Sequence, residues 1–347
     1  MMYVDIPIWL SVAMMIVGLV ALAWSSDTFV DGASSVAKSL GISPFVIGMV
    51  IIGFGTSAPE LCVSVMSGLS DHSNLSLGNA YGSCVFNIAA ILGVAALIRP
   101  LVVKPATAFI AGPALAAISA GAMVLLRDGA CSRAEALVLL GLFAVLFPIY
   151  CWFDQKTSGS VPLEKAPAKG RPPTARMLAD PRYKRVGRLR LAVAYTKLFV
   201  GLGVLIGSSH ILVWGAVDFA HEIGVSDLMI GLTIVAMGTS LPELASAIAS
   251  ARRGEHEFVL GNIVGSNFFN MLAVVGLATS ISPASNFSRY IMIRDLPTTI
   301  VLSLAITIFG VNWRKPRESG SLNRFEGFLW LSVFVVYTAF VIYSETH

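Results

Sequence analysis

Apolar residues run in ten long stretches along this chain, at roughly 8–30, 45–70, 75–97, 106–126, 134–153, 192–220, 227–251, 257–280, 291–312 and 325–344. A helix needs about 20 mostly apolar residues to cross a bilayer, and each stretch meets that length. Polar residues gather between them in short turns, with one exception. The segment 154–190 holds ten basic and three acidic residues together with Pro162, Pro167, Pro172, Pro173 and Pro181, a composition that predicts a flexible basic linker. It divides the chain into two halves of five spans, 1–153 and 191–347. The residues before the first stretch include Asp5 but no Lys or Arg, so the basic n-region of a secretory signal is lacking and this stretch is expected to stay as a membrane helix.

Composition agrees with that pattern. The chain of 347 residues is 56% hydrophobic and 13% charged, with mean hydropathy +0.78, whereas a soluble domain carries about 25% charged residues. The chain reads as an all-α polytopic membrane protein, which excludes soluble enzymes, nucleic-acid binders and secreted disulfide scaffolds. Cys62, Cys84, Cys131 and Cys151 lie mostly in apolar stretches at no metal-ligand spacing. The net charge of +4 reflects where basic loops lie. With the N-terminus outside, the inner loops hold Lys38, Arg99, Lys104, the ten basic residues of the linker, Arg252, Arg253, Arg314, Lys315, Arg317 and Arg324, and the outer loops only Arg127, Arg133, Arg289 and Arg294. Basic residues favour the cytoplasmic side. The expectation is a multi-pass protein of the plasma (inner) membrane, with both termini outside and the linker in the cytoplasm.

The two halves also match each other. At a constant offset of 183 residues, Gly41 to Gly93 aligns on Gly224 to Gly276 without a gap, with 21 of 53 positions identical. The clearest blocks are G-T-S-A-P-E-L (55–61) with G-T-S-L-P-E-L (238–244), and L-G-N-A-Y-G-S-C-V-F-N (77–87) with L-G-N-I-V-G-S-N-F-F-N (260–270). Five spans per half is an odd number, so the second copy enters the membrane upside down. Ten transmembrane helices in two inverted five-helix repeats is the architecture of secondary transporters, which bind substrate near the midplane where the repeats meet.

The repeated blocks carry the candidate chemistry. Pro59 and Pro242 lie deep in apolar spans, where a proline removes a donor and frees the carbonyl four residues back, here that of Gly55 and Gly238. Beside these carbonyls stand the hydroxyls of Thr56, Ser57, Thr239 and Ser240 and the carboxylates of Glu60 and Glu243. The following helices present Asn79, Ser83 and Asn87, and Asn262, Ser266 and Asn270, at spacings of four. Gly78 with Gly82, and Gly261 with Gly265, are small-residue pairs that let helices approach closely. The donor set is all oxygen, which suits Ca²⁺ better than a transition metal. An ionised carboxylate at the bilayer centre costs at least about 2.5–3.5 kcal/mol on insertion scales, so two at equivalent positions point to an ion site. Asn79 and Asn262, beside their glycines, read as structural, as do Asp27 and His210.

G-T-S-x-P-E followed by G-N-x-x-G-S-x-x-x-N, present twice over nearly the whole chain, resembles the calcium/cation antiporter superfamily, and within it the prokaryotic sodium/calcium exchangers. The resemblance implies alternating access and exchange of several Na⁺ for one Ca²⁺, with Ca²⁺, Na⁺ and the lipid bilayer as partners. It implies no enzymatic activity, cofactor, nucleic acid or obligate protein partner. By position, Glu60, Glu243, Asn87 and Asn270 would line the central site. Thr56, Ser57, Ser83, Thr239, Ser240, Ser266 and carbonyls near Gly53 and Ala236 would complete it. The second and seventh spans would be split at their prolines, with the first and sixth sliding across them as gates. Relatives that carry Asp at the Asn87 or Asn270 position have a third carboxylate, and this chain has amides at both. The alternatives are Ca²⁺/H⁺ exchange through the same two glutamates and, from another class, a cation channel.

Overall fold

The computed structural model describes residues 7–69, 73–158, 181–224, 236–285 and 287–346. Helices dominate because backbone polar groups in hydrocarbon must find partners within their own segment or a closed sheet. In chain order the main helices are α1 (Ile8–Leu40), α2 (Ala58–Leu69), α3 (Ser73–Val85), α4 (Pro105–Leu125), α5 (Arg133–Ser158), α6 (Pro181–Glu222), α7 (Leu241–Arg253), α8 (His256–Phe268), α9 (Leu296–Gly310) and α10 (Arg324–Thr346). Among the described residues eight helices are long and apolar enough to cross a membrane, and the pair Pro44–Thr56 and Ala58–Met66, bent by 42°, makes a ninth. The first half of the expected seventh span lies outside the described residues, at 225–235.

Helix ends depart from the apolar pattern where helices run on past it. α1 reaches Leu40 rather than stopping near 30. The expected linker 154–190 is helical at both ends, since α5 continues to Ser158 and α6 begins at Pro181. Hydropathy marks what suits hydrocarbon, whereas continuation into water depends on backbone preference. Proline is favoured at a first helical position, and Arg, Lys and Leu are good helix formers. Residues 159–180 of the expected linker lie outside the described residues. Side-chain caps fix two other starts. Ser132 with Glu135 ahead of α5, and Asn323 with Glu326 ahead of α10, each exchange reciprocal backbone and side-chain hydrogen bonds.

Burial separates centre from rim. The most apolar window of the span His256–Ile281 is 100% buried and that of Ser76–Ile98 78%, against 17% for Arg133–Thr157 and 11% for Arg324–Ser344. The helices carrying the G-N-x-x-G-S blocks are therefore central, and α5 and α10 form the exposed apolar rim. Glycine makes this packing possible. A β-carbon on Gly261 would fall 2.2 Å from the Phe45 carbonyl oxygen, and one on Gly265 2.5 Å from that of Met49. The backbone before α2 thus lies directly against α8. The residues that would face Gly78 and Gly82 in the same way, 228 and 232 by the offset of 183, lie outside the described residues.

α1 and α6 pack along each other outside this centre. A β-carbon on Gly18 would lie 2.8 Å from the Leu212 nitrogen and one on Gly201 2.7 Å from the Phe29 nitrogen. Gly32 would likewise meet the Leu198 nitrogen at 2.5 Å, and Gly215 the Ser11 carbonyl oxygen at 2.7 Å. Gly18 and Gly201, Gly32 and Gly215, and Phe29 and Leu212 are related by the offset of 183. So are Leu198 and Met15, whose nitrogen the Gly215 β-carbon would meet at 3.0 Å, and Ser11 and Ala194, whose carbonyl oxygen the Gly32 β-carbon would meet at 2.9 Å, so each contact has a reciprocal one. Two short antiparallel sheets tie loops together, β1 (Leu101–Val103) with β4 (Gly320–Leu322) and β2 (Ala130–Cys131) with β3 (Ala284–Ser285).

Gly32→Leu forces α1 and α6 apart and is expected to destabilise the protein by roughly 1–3 kcal/mol, the usual cost of overpacking. Gly203→Leu is the control, because a β-carbon at that position would meet no atom of the described residues within 4 Å. Thermal unfolding of the detergent-solubilised protein should show a lowered midpoint for the first variant only.

Candidate functional site

The two proline blocks break their helices alike. Ahead of Pro59 the chain passes through a π-helical stretch, Gly48–Gly53, and a short turn, Phe54–Thr56. Ser57 then takes φ −82°, ψ 8° before α2 begins. Ahead of Pro242, Ser240 takes φ −94°, ψ 12° before α7 begins. Both serines sit in the bridge region, where turn and active-site residues concentrate. The breaks fall two residues before the prolines, at the serines.

Those serines bind across the repeat. The Ser57 hydroxyl donates to Glu243 Oε1 at 2.9 Å and lies 3.1 Å from Ser266 Oγ. The Ser240 hydroxyl donates to Glu60 Oε1 at 2.8 Å and lies 3.3 Å from Ser83 Oγ. Adding or subtracting 183 turns each set of partners into the other. Thr56 stands beside Glu243 and Thr239 beside Glu60 in the same reciprocal way. The structure thus brings together Glu60, Glu243, Thr56, Ser57, Ser83, Thr239, Ser240 and Ser266. Asn87 and Asn270 follow Ser83 and Ser266 by four residues, and both are buried.

The oxygens left over define what this place can hold. Glu60 Oε2, Glu243 Oε2 and both amide atoms of Asn87 and of Asn270 are buried and make no hydrogen bond to the protein. An unsatisfied buried polar group costs about 1–3 kcal/mol, and a charged one more. A cation removes that cost at the four oxygens, Glu60 Oε2, Glu243 Oε2 and Oδ1 of Asn87 and of Asn270, whereas the two amide nitrogens are donors that need an acceptor. Thr56 Oγ1 donates to the Ile52 carbonyl at 2.8 Å, which leaves its lone pairs free to face a cation. The Gly53 carbonyl lies 3.4 Å from both Ser266 Oγ and Thr56 Oγ1. No cluster of three or more His, Cys, Asp or Glu exists among the described residues. The donor set is two carboxylates with amides, hydroxyls and carbonyls, which fits hard cations such as Ca²⁺ and Na⁺.

Three features differ from what the sequence suggested or add to it. The Gly238 carbonyl, expected to be free, accepts a hydrogen bond from Ser209 of α6 at 3.1 Å. Asn87 and Asn270 each stand second in a π-helical stretch, Phe86–Ile91 and Phe269–Val274. Such bulges are frequent at functional sites, and nothing in the apolar pattern announces an i→i+5 turn. Asn262 is structural, as expected, but within the site itself. Its Nδ2 donates to the Glu243 carbonyl at 3.3 Å and to Ser246 Oγ at 3.1 Å, while its Oδ1 lies 3.4 Å from Thr56 Oγ1. It fixes the turn that carries Glu243 against α8. Asp27 pairs with Arg253, and His210 is exposed, so neither belongs to the site.

Comparison with known proteins identifies the family. The family model described as "Sodium/calcium exchanger protein" matches residues 10–152 and 193–343. The putative antiporter CaxA of Alkalimonas amylolytica is 37% identical over 93% of this chain and 95% of its own length. The sodium/calcium exchanger MaX1 of Methanosarcina acetivorans is 30% identical over 95% of this chain and 97% of its own. A solved structure of the sodium-calcium exchanger NCX_Mj, soaked with 10 mM Na⁺ and zero Ca²⁺, superimposes with a TM-score of 0.77 at 28% identity, covering 96% of this chain and 99% of that one. With its motifs, fold and near-complete coverage in agreement, the chain belongs to the sodium/calcium exchanger protein family.

Proposed function

We propose that this calcium/cation antiporter couples Na⁺ entry to Ca²⁺ movement by alternating access, using one central site built from Glu60, Glu243, Asn87, Asn270, Thr56, Ser57, Ser83, Thr239, Ser240 and Ser266. The observation that carries the proposal is the reciprocal bracing, in which each serine holds one oxygen of the opposite glutamate and leaves the other oxygen free. Two ionised carboxylates give the site a charge of about −2, which one Ca²⁺ neutralises. Hydroxyls and carbonyls around them offer neutral ligands to Na⁺. Such a site binds Na⁺ and Ca²⁺ in competition, which is what exchange requires.

The same reading includes ten spans in two inverted repeats, 1–153 and 191–347, joined by a cytoplasmic basic segment within 154–190, with both termini outside the plasma (inner) membrane. Reciprocal contacts between α1 and α6 at Gly18, Gly201, Gly32 and Gly215 support a two-fold relation between halves. The excess of basic residues on one set of loops supports the orientation. Alternating access follows if α1 and α6 move together across the broken helices, exposing the site first to one side and then to the other.

In proteoliposomes, a Na⁺ gradient should drive Ca²⁺ uptake and a pH gradient alone should not. Uptake driven equally by the pH gradient would favour Ca²⁺/H⁺ exchange, and uptake that needs no counter-gradient a channel. Glu60→Gln and Glu243→Gln keep shape but remove one charge each, so each should reduce exchange to near background while the protein remains inserted and folded. Wild-type flux in either variant would place the ions elsewhere.

The amides at Asn87 and Asn270 lead to a second expectation. Without a third carboxylate, an additional monovalent cation would be buried without a neutralising partner, which is costly at membrane depth. Exchange should therefore be independent of K⁺. It should be electrogenic if three Na⁺ move against one Ca²⁺, with coupling of about 2.3 kcal/mol per 100 mV for one net charge. Replacing K⁺ by choline on both sides, with membrane potential set separately, checks both. Flux lost without K⁺ contradicts the first, and flux indifferent to potential contradicts the second.

A further inference from the structure

The reciprocity that governs the site and the α1–α6 pair fails at one end of the molecule. Arg253, the last residue of α7, binds α1 at two levels. Its guanidinium lies 3.1 Å from Asp31 Oδ1, donates to the Asp27 carbonyl at 2.9 Å and approaches Asp27 Oδ1 at 3.7 Å. The other oxygen of Asp31 takes Lys197 Nζ of α6 at 2.6 Å. One carboxylate of α1 therefore ties both α6 and the end of α7. A turn further along α1, Ser34 stands beside Glu255 in the α7–α8 turn.

The offset of 183 gives the positions that would form the same network at the opposite end. They are His210 for Asp27, Trp214 for Asp31, Met14 for Lys197 and Ser70 for Arg253. No acid–base pair can form among them. Packing shows the same inequality. α1 runs along α7, whereas among the described residues α6 makes no comparable run of contacts along α2. Both glycines at the helix breaks instead meet α6, Gly55 against Leu202 and Gly238 against Val213.

We propose that Asp31, Arg253 and Lys197, with Asp27, form a one-sided latch that holds α1 against α7 and keeps the inner end of the ion pathway closed at rest. The proposal rests on the exchanger reading for what passes through the pathway and on the basic-loop orientation for which end is inner. Closure of this end forms these ion pairs and opening breaks them, while the equivalent positions at the other end offer no such pair. The two access states are then unequal in free energy even though the site between them is nearly symmetric. Each pair is partly exposed, with side chains between 32% and 53% accessible, so the bias is several-fold rather than absolute. α7 also carries Glu243 ten residues before Arg253, roughly 15 Å along the helix, so the latch holds the very element that positions one ligand.

Cysteine accessibility tests this without requiring transport. Ala245 lies on α7 between Glu243 and Arg253 and is buried in the same apolar cluster as Ala33 and Ala37 of α1. The parent is the full chain carrying Ala245→Cys, with Cys62, Cys84, Cys131 and Cys151 replaced by Ser, in inside-out membrane vesicles with Na⁺ present. The readout is its modification rate by a membrane-impermeant cationic thiol reagent. Asp31→Asn and Arg253→Gln should each raise that rate about three- to tenfold, the range that two partly exposed ion pairs allow. The double variant should add little to either single one, because both break the same link. Lys197→Gln, at an exposed position, should raise it by less and guards against a folding defect in the other two. Rates within twofold of the parent in all three variants would overturn the proposal, as would an increase seen only with reagent added from the outer face. Failure of the unsubstituted chain to exchange Na⁺ for Ca²⁺, with Asp31→Asn still opening the inner end, would overturn the exchanger reading and leave the latch standing.

Discussion

Two carboxylates buried between the halves of a membrane protein set the terms for the rest of this structure. Glu60 and Glu243 are sealed from solvent, and neither is paired with a basic side chain among the described residues. Each is instead held by a neutral hydroxyl from the other half, Ser240 for Glu60 and Ser57 for Glu243. A fixed Arg or Lys partner would satisfy the charge permanently and leave nothing for a mobile cation to do. A serine satisfies one oxygen, keeps the carboxylate in place and leaves the charge available. Because each brace comes from the opposite half, neither half builds the site alone.

The surrounding features follow from that need. A serine hydroxyl can reach across only if backbones come close, and Gly261 and Gly265 bring the segment before α2 against α8 at backbone-contact distance. It can point at the opposite glutamate only if its own helix is interrupted, which the prolines at 59 and 242 enforce. Non-helical backbone at membrane depth is tolerated where protein buries it, and the most apolar window of the span His256–Ile281, which faces one break, is fully buried. The π-helical stretches at Asn87 and Asn270 complete a centre whose irregularities are duplicated by the offset of 183. On the exchanger reading, duplication would let one site serve two sides. The near-symmetric centre gives no preference, and asymmetry enters through the periphery, where Arg253 finds acidic partners on α1 and its counterpart Ser70 has no charge to offer.

Much of the site could be read in the sequence because its chemistry conflicts with its surroundings. Glutamate, proline and serine in an apolar run are conspicuous, and the same conflict recurs 183 residues later, which pairs each candidate residue with its counterpart. The helical class and most spans were legible for a similar reason, since hydrocarbon admits few alternatives. What could not be read depends on geometry rather than composition. The π-helical stretches differ from α-helix only in hydrogen-bond register. The bond from Ser209 to the Gly238 carbonyl and the bracing by Asn262 depend on which helix faces which. The helical extensions to Leu40 and from Pro181 run where apolarity no longer reports on structure. The ion pairs of Arg253 join residues more than two hundred positions apart, and the basic loops disclosed their sign but not their partners.

The central claim is that one cross-braced pair of glutamates serves both ions. Equilibrium Ca²⁺ binding to the purified protein, measured by isothermal titration at increasing Na⁺ with ionic strength held constant by choline, tests it most directly. The account predicts one Ca²⁺ per chain, with apparent affinity falling steeply as Na⁺ rises, at a slope above one on a log–log plot, because several Na⁺ displace one Ca²⁺ from shared ligands. Ca²⁺ affinity that stays constant as Na⁺ rises would mean that the two ions bind separately and would contradict the account.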